Sequence, residues 1–358
     1  MLRAAGRAGT ADTVLRGAGG SAAAVAVIVA VLAVLPLLAP SYYLHLLTLT
    51  FCYGIMAMSL DLLVGYTGLA SLGHAAYFGV AGYVVGVLAT TAGWPFWPAA
   101  GAGLLAAAAT AALFGLLAIR ATGPYFLIIT LALGQIIWGL AYRWVSVTGG
   151  DNGLRGIARP VLAVGVSLAR IQAFYYFALA VTLVAAALLY LIVTSPFGLA
   201  LRGIRESESR MRVLGYNVFL MKYLVFIIAG TFSGLGGVLY AYYNGFVSPA
   251  DVSLVASANA LLMVILGGTG TLVGSLLGSA LLVFLQNILS GITQRWLTIL
   301  GAILVLAVMY APRGVLGAAR TLLVRRAAGS ISGRRRSPDE GSAAGLEATD
   351  PLNGAGEG

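Results

Sequence analysis

Charge is what this sequence has least of. Only 9% of its 358 residues are charged, whereas a soluble domain carries about 25%. Hydrophobic residues make up 60% of the chain, and the mean hydropathy is +0.96. A water-soluble fold of this length needs far more polar surface than these residues supply, so residence in a membrane is the first inference.

Residues that hold metals or perform catalysis are almost missing as well. The single cysteine, Cys52, and the two histidines, His45 and His74, cannot form an internal disulfide or a zinc site. The single lysine, Lys222, is followed by Tyr223, so the sequence lacks the phosphate-binding loop that ends in Gly-Lys-Ser or Gly-Lys-Thr. We therefore expect no catalytic residue, no metal site and no cofactor, and any ATP must be bound by another subunit.

Long runs without a charged residue mark the membrane spans, because a charge is costly in hydrocarbon. A crossing needs roughly 20 apolar residues, so the runs 62–119 and 252–294 each hold two crossings. The pattern predicts an all-α polytopic membrane protein with about ten transmembrane helices, some short or re-entrant. The predicted crossings are 22–39, 42–64, 66–91, 96–119, 123–146, 171–194, 223–246, 255–267, 272–290 and 296–311. The eighth is short for a full span and is expected to be a half-helix or a re-entrant element buried in protein.

The basic residues predict the orientation. If both termini are cytoplasmic, sixteen of the 21 basic residues lie on the inside, as the positive-inside rule favours. The prediction is then a cytoplasmic N-terminal tail at 1–21, a transmembrane domain at 22–316 and a cytoplasmic, disordered C-terminal tail at 317–358. The net charge of +10 is explained by topology and contact with anionic lipid, and no nucleic acid is expected.

A predicted cytoplasmic loop, residues 195–222, has the composition of an amphipathic helix. Two interpretations stay open: a helix that lies among the lipid headgroups, and a docking helix that receives force from a cytoplasmic partner. The residues that would carry the docking role are Arg202, Arg205, Glu206, Glu208, Arg212, Leu214 and Gly215.

Two polar residues stand out within the predicted spans. Asp61 is the only acidic residue inside a predicted span, close to its cytoplasmic end. We favour a structural role, in which Asp61 accepts hydrogen bonds from backbone amides of residues 65–68, over a proton relay. His74 lies among small residues that permit close helix approach, and we interpret it as a packing histidine bonded across helices, with a pore-lining role as the alternative.

The pattern Gly-x-Thr-Gly occurs twice, at residues 65–68 and 267–270, at the cytoplasmic ends of predicted spans. Glycine-rich breaks in transporter helices often flank the substrate path. The candidate residues for a helix break or translocation path are Asp61, Gly65, Thr67, Gly68, Ser71, His74, Gly267, Gly268 and Gly270.

Several stretches together resemble a known family. Ser-Leu-Asp-Leu-Leu-Val-Gly-Tyr-Thr-Gly at 59–68, followed by Ser-Leu-Gly-His-Ala-Ala at 71–76, resembles the signature of branched-chain amino acid ABC permeases of the LivM type. The similarity continues in order to about residue 316, through Thr-Gly-Gly-Asp-Asn-Gly-Leu at 148–154 and Leu-Leu-Met-Val-Ile-Leu-Gly-Gly at 261–268. One departure is Arg210-Met211, where many members carry two alanines and where urea-type relatives have a related loop.

The resemblance implies an ABC importer in the bacterial inner membrane. Its partners would be a second homologous permease, two cytoplasmic ATPases that bind the ATP, and a periplasmic or lipid-anchored binding protein. The loop 195–222 would be the coupling segment that sits in a cleft of the ATPase. Branched-chain or related amino acids are the implied substrate, with urea or short amides as the alternative. A self-contained secondary transporter would instead require an ion gradient.

Overall fold

The computed structural model describes residues 27–161 and 167–310 of the chain, and these residues form helices joined by short turns. The helices are α1 Val27–Leu38, α2 Ser41–Val64, α3 His74–Thr90, α4 Phe96–Ala118, α5 Pro124–Arg143, α6 Val145–Thr148, α7 Ile171–Thr194, α8 Pro196–Glu206, α9 Glu208–Val213, α10 Val218–Asn244, α11 Leu254–Gly267, α12 Leu272–Ile292 and α13 Trp296–Tyr310. Short 3₁₀ turns at Gly150–Asn152 and Pro249–Val252 and two short strands complete the described elements.

Six helices are long and apolar enough to cross a membrane, namely α2, α4, α5, α7, α10 and α12. The apolar helices α1, α3 and α11 are shorter. The chain is therefore an all-α polytopic membrane protein, as its charge distribution predicts. The predictions for 1–21 and 317–358 lie outside the described residues.

The third predicted crossing begins too early. It was placed at 66–91, but residues 65–73 are not helical and α3 begins at His74. The cause is the backbone at Gly68, whose φ of 78° is a left-handed conformation that ends a helix. The amide of Leu69 then turns back to donate to the carbonyl of Leu63 at 2.9 Å.

The seventh predicted crossing, 223–246, begins too late. Helix α10 begins at Val218, because the Asn217 side chain accepts a hydrogen bond from the amide of Leu220 at 3.0 Å and caps the helix. Lys222 therefore lies inside α10 rather than in the preceding loop. A span boundary drawn from the charged residues alone misses this first turn, because a helix can begin before the chain enters the hydrocarbon core of the membrane.

Helices α2 and α10 form the centre of the bundle. Helix α2 packs against α7, α10 and α12, and α10 packs against α2, α3 and α4. Small residues let α10 approach its neighbours: a Cβ at Gly237 would overlap the carbonyl of Phe78, and one at Gly230 would overlap the side chain of Ala111. Close backbone approach of this kind is how membrane helices gain packing contacts without a hydrophobic driving force.

The end of the bundle opposite the glycine motifs carries a strand pair that the sequence did not predict. Strand β1, Leu154–Arg155, pairs antiparallel with β2, Phe246–Val247, and joins the loop after α5 to the loop after α10. Strands of two residues are too short to show an alternating pattern. The pairing leads into the Pro249–Val252 turn and α11, which has 14 residues and is about 21 Å long. That is shorter than a hydrocarbon core of about 30 Å.

Candidate coupling and transport site

The two Gly-x-Thr-Gly segments contact each other. We call residues 65–68 and 267–270, together with Asp61 and Arg205, the glycine junction. The backbone nitrogen of Gly270 donates to Oδ1 of Asp61 at 2.7 Å, and Asp61 is fully buried. Two segments that lie 209 residues apart in the chain are thus joined by one part-buried hydrogen bond.

The donor to Asp61 differs from the one expected. The sequence suggested amides of residues 65–68, but three of these amides are already used within their own turn. Gly65 and Tyr66 donate to the Asp61 carbonyl, at 2.7 and 3.2 Å, and Thr67 donates to the Leu63 carbonyl at 3.3 Å. The carboxylate is therefore left to accept from the second glycine segment.

Glycine is required where the two segments meet. A Cβ at Gly65 would overlap the backbone nitrogen of Gly270, and a Cβ at Gly267 would overlap the carbonyl of Gly274. Gly268 and Gly270 also have φ values of 107° and 82°, which L residues rarely adopt. The close approach and the turn geometry together explain why both motifs are glycine-rich.

Arg205 attaches helix α8 to the glycine junction. Its Nη1 donates a hydrogen bond to the carbonyl of Gly65, and a Cβ at Gly68 would lie 3.2 Å from its Cγ. One turn earlier, the guanidinium of Arg202 lies 5.1 Å from the ring centroid of Tyr66, a cation–π distance. The pKa of the Tyr66 phenol lies above its ordinary value, mainly because the side chain is buried. A displacement of α8 would therefore act directly on the α2–α3 turn.

The predicted amphipathic helix of the loop 195–222 is two helices. Helix α8 ends at Glu206, and the Ser207 side chain caps α9 by accepting from the amide of Arg210 at 3.3 Å. This break follows from serine, which favours a helix N-cap over a helix interior. The chain therefore presents a bent segment, with Leu201 and Ile204 buried against the bundle.

Glu208 ties α9 to its surroundings. It forms an ion pair with Arg212 at 3.2 Å and another with Lys222 of α10. In the sequence, Lys222 counts among the basic residues of the cytoplasmic side and is not part of a phosphate-binding loop, but neither observation predicts this pair. The other predicted docking residues are not drawn together: Glu206 is exposed, Gly215 has open space around its Cα, and Leu214 is 65% exposed.

His74 joins the first turn of α3 to its neighbours. Its Nε2 lies 2.8 Å from the Ser59 hydroxyl of α2, and its carbonyl accepts from Ser233 of α10 at 3.1 Å. The next amide, of Ala75, donates to Ser257 of α11 at 3.2 Å. The ring is fully buried, and in this conformation His74 bonds across helices.

The two hydroxyl residues near His74 make local bonds. Thr67 donates to the carbonyl of Leu62 at 3.0 Å, and Ser71 accepts from the amide of Gly73 at 3.4 Å. Both side chains are buried and stabilise the connection between α2 and α3.

A polar residue outside the predicted set is Asp251, in the turn before α11. Its Oδ1 accepts from the Tyr240 hydroxyl at 2.9 Å and its Oδ2 from the amide of Ser248 at 2.8 Å. The sequence did contain a signal, because Asp251 is the lone charge between two long uncharged runs. Within residues 27–161 and 167–310 no group of three or more His, Cys, Asp or Glu side chains is placed to hold a metal ion.

Comparisons with known proteins agree with one another. A family described as "Branched-chain amino acid transport system / permease component" matches residues 42–311. The chain is 30% identical to the high-affinity branched-chain amino acid transport system permease protein LivM of Escherichia coli, over 77% of this chain and 70% of the relative. It is 25% identical to the permease protein LivH of the same organism, over 75% and 92%. No solved structure matches the chain.

The bond between Asp61 and Gly270 predicts a difference between two substitutions. Asp61→Asn keeps an oxygen that accepts from the Gly270 amide, so we expect a thermal unfolding midpoint in detergent near that of the wild type. Asp61→Ala leaves the part-buried Gly270 amide without its acceptor, and an unsatisfied buried donor costs about 1–3 kcal/mol, so the midpoint should fall by several degrees. Equal midpoints for the two variants would contradict this role. An Asn variant of normal stability that has lost all transport would favour the proton relay.

Proposed function

Because the chain belongs to the family of permease components of branched-chain amino acid transport systems, we propose that it moves branched-chain amino acids across the cell's inner membrane as one subunit of an ABC importer. The observation that carries this proposal is the family match over residues 42–311, which spans twelve of the thirteen described helices. The relatives are named as transport permeases rather than enzymes, and nothing favours urea or short amides.

The partners follow from the same family. The chain is similar to both LivM and LivH, each named as a permease protein of a high-affinity branched-chain amino acid system. This supports a pairing with a second, homologous permease subunit. The sequence lacks a phosphate-binding loop, so two separate ATPase subunits would supply the energy, and a binding protein would deliver the amino acid.

The topology proposed for this subunit is ten crossings with both termini in the cytoplasm. Contacts at the two ends of the bundle support it. Arg205 of α8 donates to Gly65 and lies beside Gly270, so the turns after α2 and α11 lie on the same side as the loop 195–222. The β1–β2 pair joins the loops after α5 and α10, both of which the charge pattern places outside.

Helices α8 and α9 are the proposed contact with an ATPase. Their inner side is fixed to the bundle through Arg205 and the Glu208–Lys222 pair. Their outer side exposes apolar residues, with Leu199 61%, Val213 89% and Leu214 65% exposed. A segment that is attached to the bundle on one side and apolar on the other is suited to transmit a push from a protein partner.

Reconstitution tests the function as a whole. Proteoliposomes that hold this chain, its partner permease and the two ATPases should accumulate L-leucine when ATP and the loaded binding protein are supplied. Vesicles with this chain alone should accumulate none, because its sequence lacks a phosphate-binding loop. Accumulation by the lone chain, or uptake of urea in place of leucine by the complex, would overturn the proposal.

Thiol labelling tests the orientation. In a Cys52→Ala background, Asp151→Cys and Glu206→Cys each place one thiol at an exposed position. A membrane-impermeant maleimide should label Asp151→Cys in right-side-out vesicles and Glu206→Cys in inside-out vesicles. The reverse pattern would show that the termini lie outside.

A pair of arginine substitutions tests the coupling. Arg205→Gln removes the guanidinium that donates to Gly65, and a charge-assisted hydrogen bond is worth roughly 1.5–3 kcal/mol. We expect about a tenfold loss of leucine uptake per ATP hydrolysed, which corresponds to about 1.4 kcal/mol, with normal assembly. Arg210→Gln is the matched control, since Arg210 is exposed in the same loop and should keep near-normal uptake. Normal leucine uptake per ATP hydrolysed in Arg205→Gln would contradict the proposed coupling role of Arg205.

A further inference from the structure

A recess opens between α2, α11 and α12. Its volume is ≈ 370 Å³, and the residues that give it its character are Tyr53, Asp251, Asn259, Met263 and Gln286. We call it the mid-helix recess, because Tyr53 lies near the middle of the 24-residue helix α2. It is a different place from the glycine junction, which lies at the cytoplasmic end of α2 in the proposed topology.

The recess holds a carboxylate at the depth of the middle of α2. The ring centroids of Tyr53 and Tyr240 are 5.6 Å apart, and the Tyr240 hydroxyl donates to Asp251. The turn between α10 and α11 therefore folds back into the bundle, as irregular backbone in a membrane does where it lines a cavity.

Asp251 has no cation to balance it among the described residues. The ion pairs found in residues 27–161 and 167–310 are those of Glu208 with Arg212 and with Lys222. The bonds to Asp251 come from the Tyr240 hydroxyl and from the backbone amide and hydroxyl of Ser248, all neutral groups. A neutral side chain would also cap this turn, and an unbalanced charge inside a membrane is costly, so the capping role alone does not explain a carboxylate. A carboxylate has about four acceptor positions, and one remains for a cationic solute.

The other walls match the rest of an aliphatic amino acid. Asn259 of α11 and Gln286 of α12 supply primary amides, for which no hydrogen bond to another described residue is found, and amide N–H groups can donate to a carboxylate. The side chains of Met56, Met263 and Val255 supply an apolar wall. The volume is at the lower end of the range of ligand pockets, about 300–1,000 Å³.

We propose that the mid-helix recess is a solute site on the translocation path that receives a zwitterionic aliphatic amino acid, with its ammonium group at Asp251 and its carboxylate facing the amides of Asn259 and Gln286. The assignment rests on the proposed function and deepens it. It also explains why a neutral solute such as urea is a poor match, since urea has no positive charge to set against Asp251.

The charge of the recess can be measured without transport. Ala256→Cys places a thiol in the lining of the recess without removing a proposed ligand. In a Cys52→Ala background and in the complete reconstituted complex, this variant is treated with one of two methanethiosulfonates, the cationic trimethylammonium-ethyl reagent or the anionic sulfonatoethyl reagent. Modification of this chain is followed by mass spectrometry. Gln172→Cys, at an exposed neutral position, gives the ratio of the two rates in open solvent. We expect the ratio at Ala256→Cys to favour the cation about tenfold more than at Gln172→Cys, because a cleft with one sign of charge concentrates counter-ions.

Two further variants distinguish the effect of the Asp251 charge from the effect of the hydrogen bonds in its turn. Asp251→Asn should bring the ratio down to that of Gln172→Cys. Ser248→Ala removes one bond to Asp251 but keeps the charge, and should leave the ratio high. Millimolar L-leucine should slow the modification several-fold, whereas its 2-oxo analogue, which lacks the ammonium group, should not.

The outcomes distinguish a failure of the recess assignment from a failure of the proposed function on which it rests. If the complex performs ATP-driven leucine uptake but the labelling shows no cation preference, or no protection by leucine, the assignment of the recess as a solute site is wrong. The proposed function then remains intact. A wild-type complex without leucine uptake overturns the proposed function, and the recess assignment falls with it. Equal protection by leucine and its 2-oxo analogue would also overturn the role of Asp251.

Discussion

One hydrogen bond, from the Gly270 amide to the buried carboxylate of Asp61, joins the turn after α11 to the end of α2. It requires a side-chain acceptor oxygen near the end of α2, a helix break after α11 and glycines that let the two backbones touch. Because Gly65 and Gly270 approach so closely, there is no room for a side chain at Gly65. Arg205 can then reach the carbonyl of Gly65, which attaches α8 to the same point.

Much of the helical architecture could be predicted from charge alone. Long uncharged runs predicted the positions of α2, α4, α7 and α12 to within a few residues, since the cost of charge in hydrocarbon acts on each residue independently of the fold. The errors have local causes. Gly68 ends the helical path that hydrophobicity alone would continue, and Asn217 begins α10 before the apolar run does.

The sequence alone could not predict which segments, separated in the chain, contact each other in the fold. The two Gly-x-Thr-Gly motifs were visible, but nothing in either motif shows that Gly270 donates to Asp61. The same holds for Glu208 and Lys222, and for the two short strands. These contacts join residues 14 or more positions apart in the chain and depend on the packing of whole helices, whereas propensity and charge patterns report only on near neighbours in the sequence. The recess at Asp251 is not predicted for a different reason. The charge pattern uses Asp251 only to separate two spans and does not consider what its carboxylate could bind.

The glycine junction and the mid-helix recess share two helices, and this gives the proposed transport cycle a physical route. Helix α11 begins beside the recess and ends at Gly267 in the junction, about 21 Å away at 1.5 Å per residue. Along α2, Tyr53 and Asp61 are about 12 Å apart. A helix is stiff over such lengths, so a shift of Arg205 that moves the junction also moves Asn259 and Tyr53 at the recess. Under the proposed function, force from an ATPase therefore needs no long chain of side-chain contacts: it has to displace α8, and the two helices carry the motion to the solute.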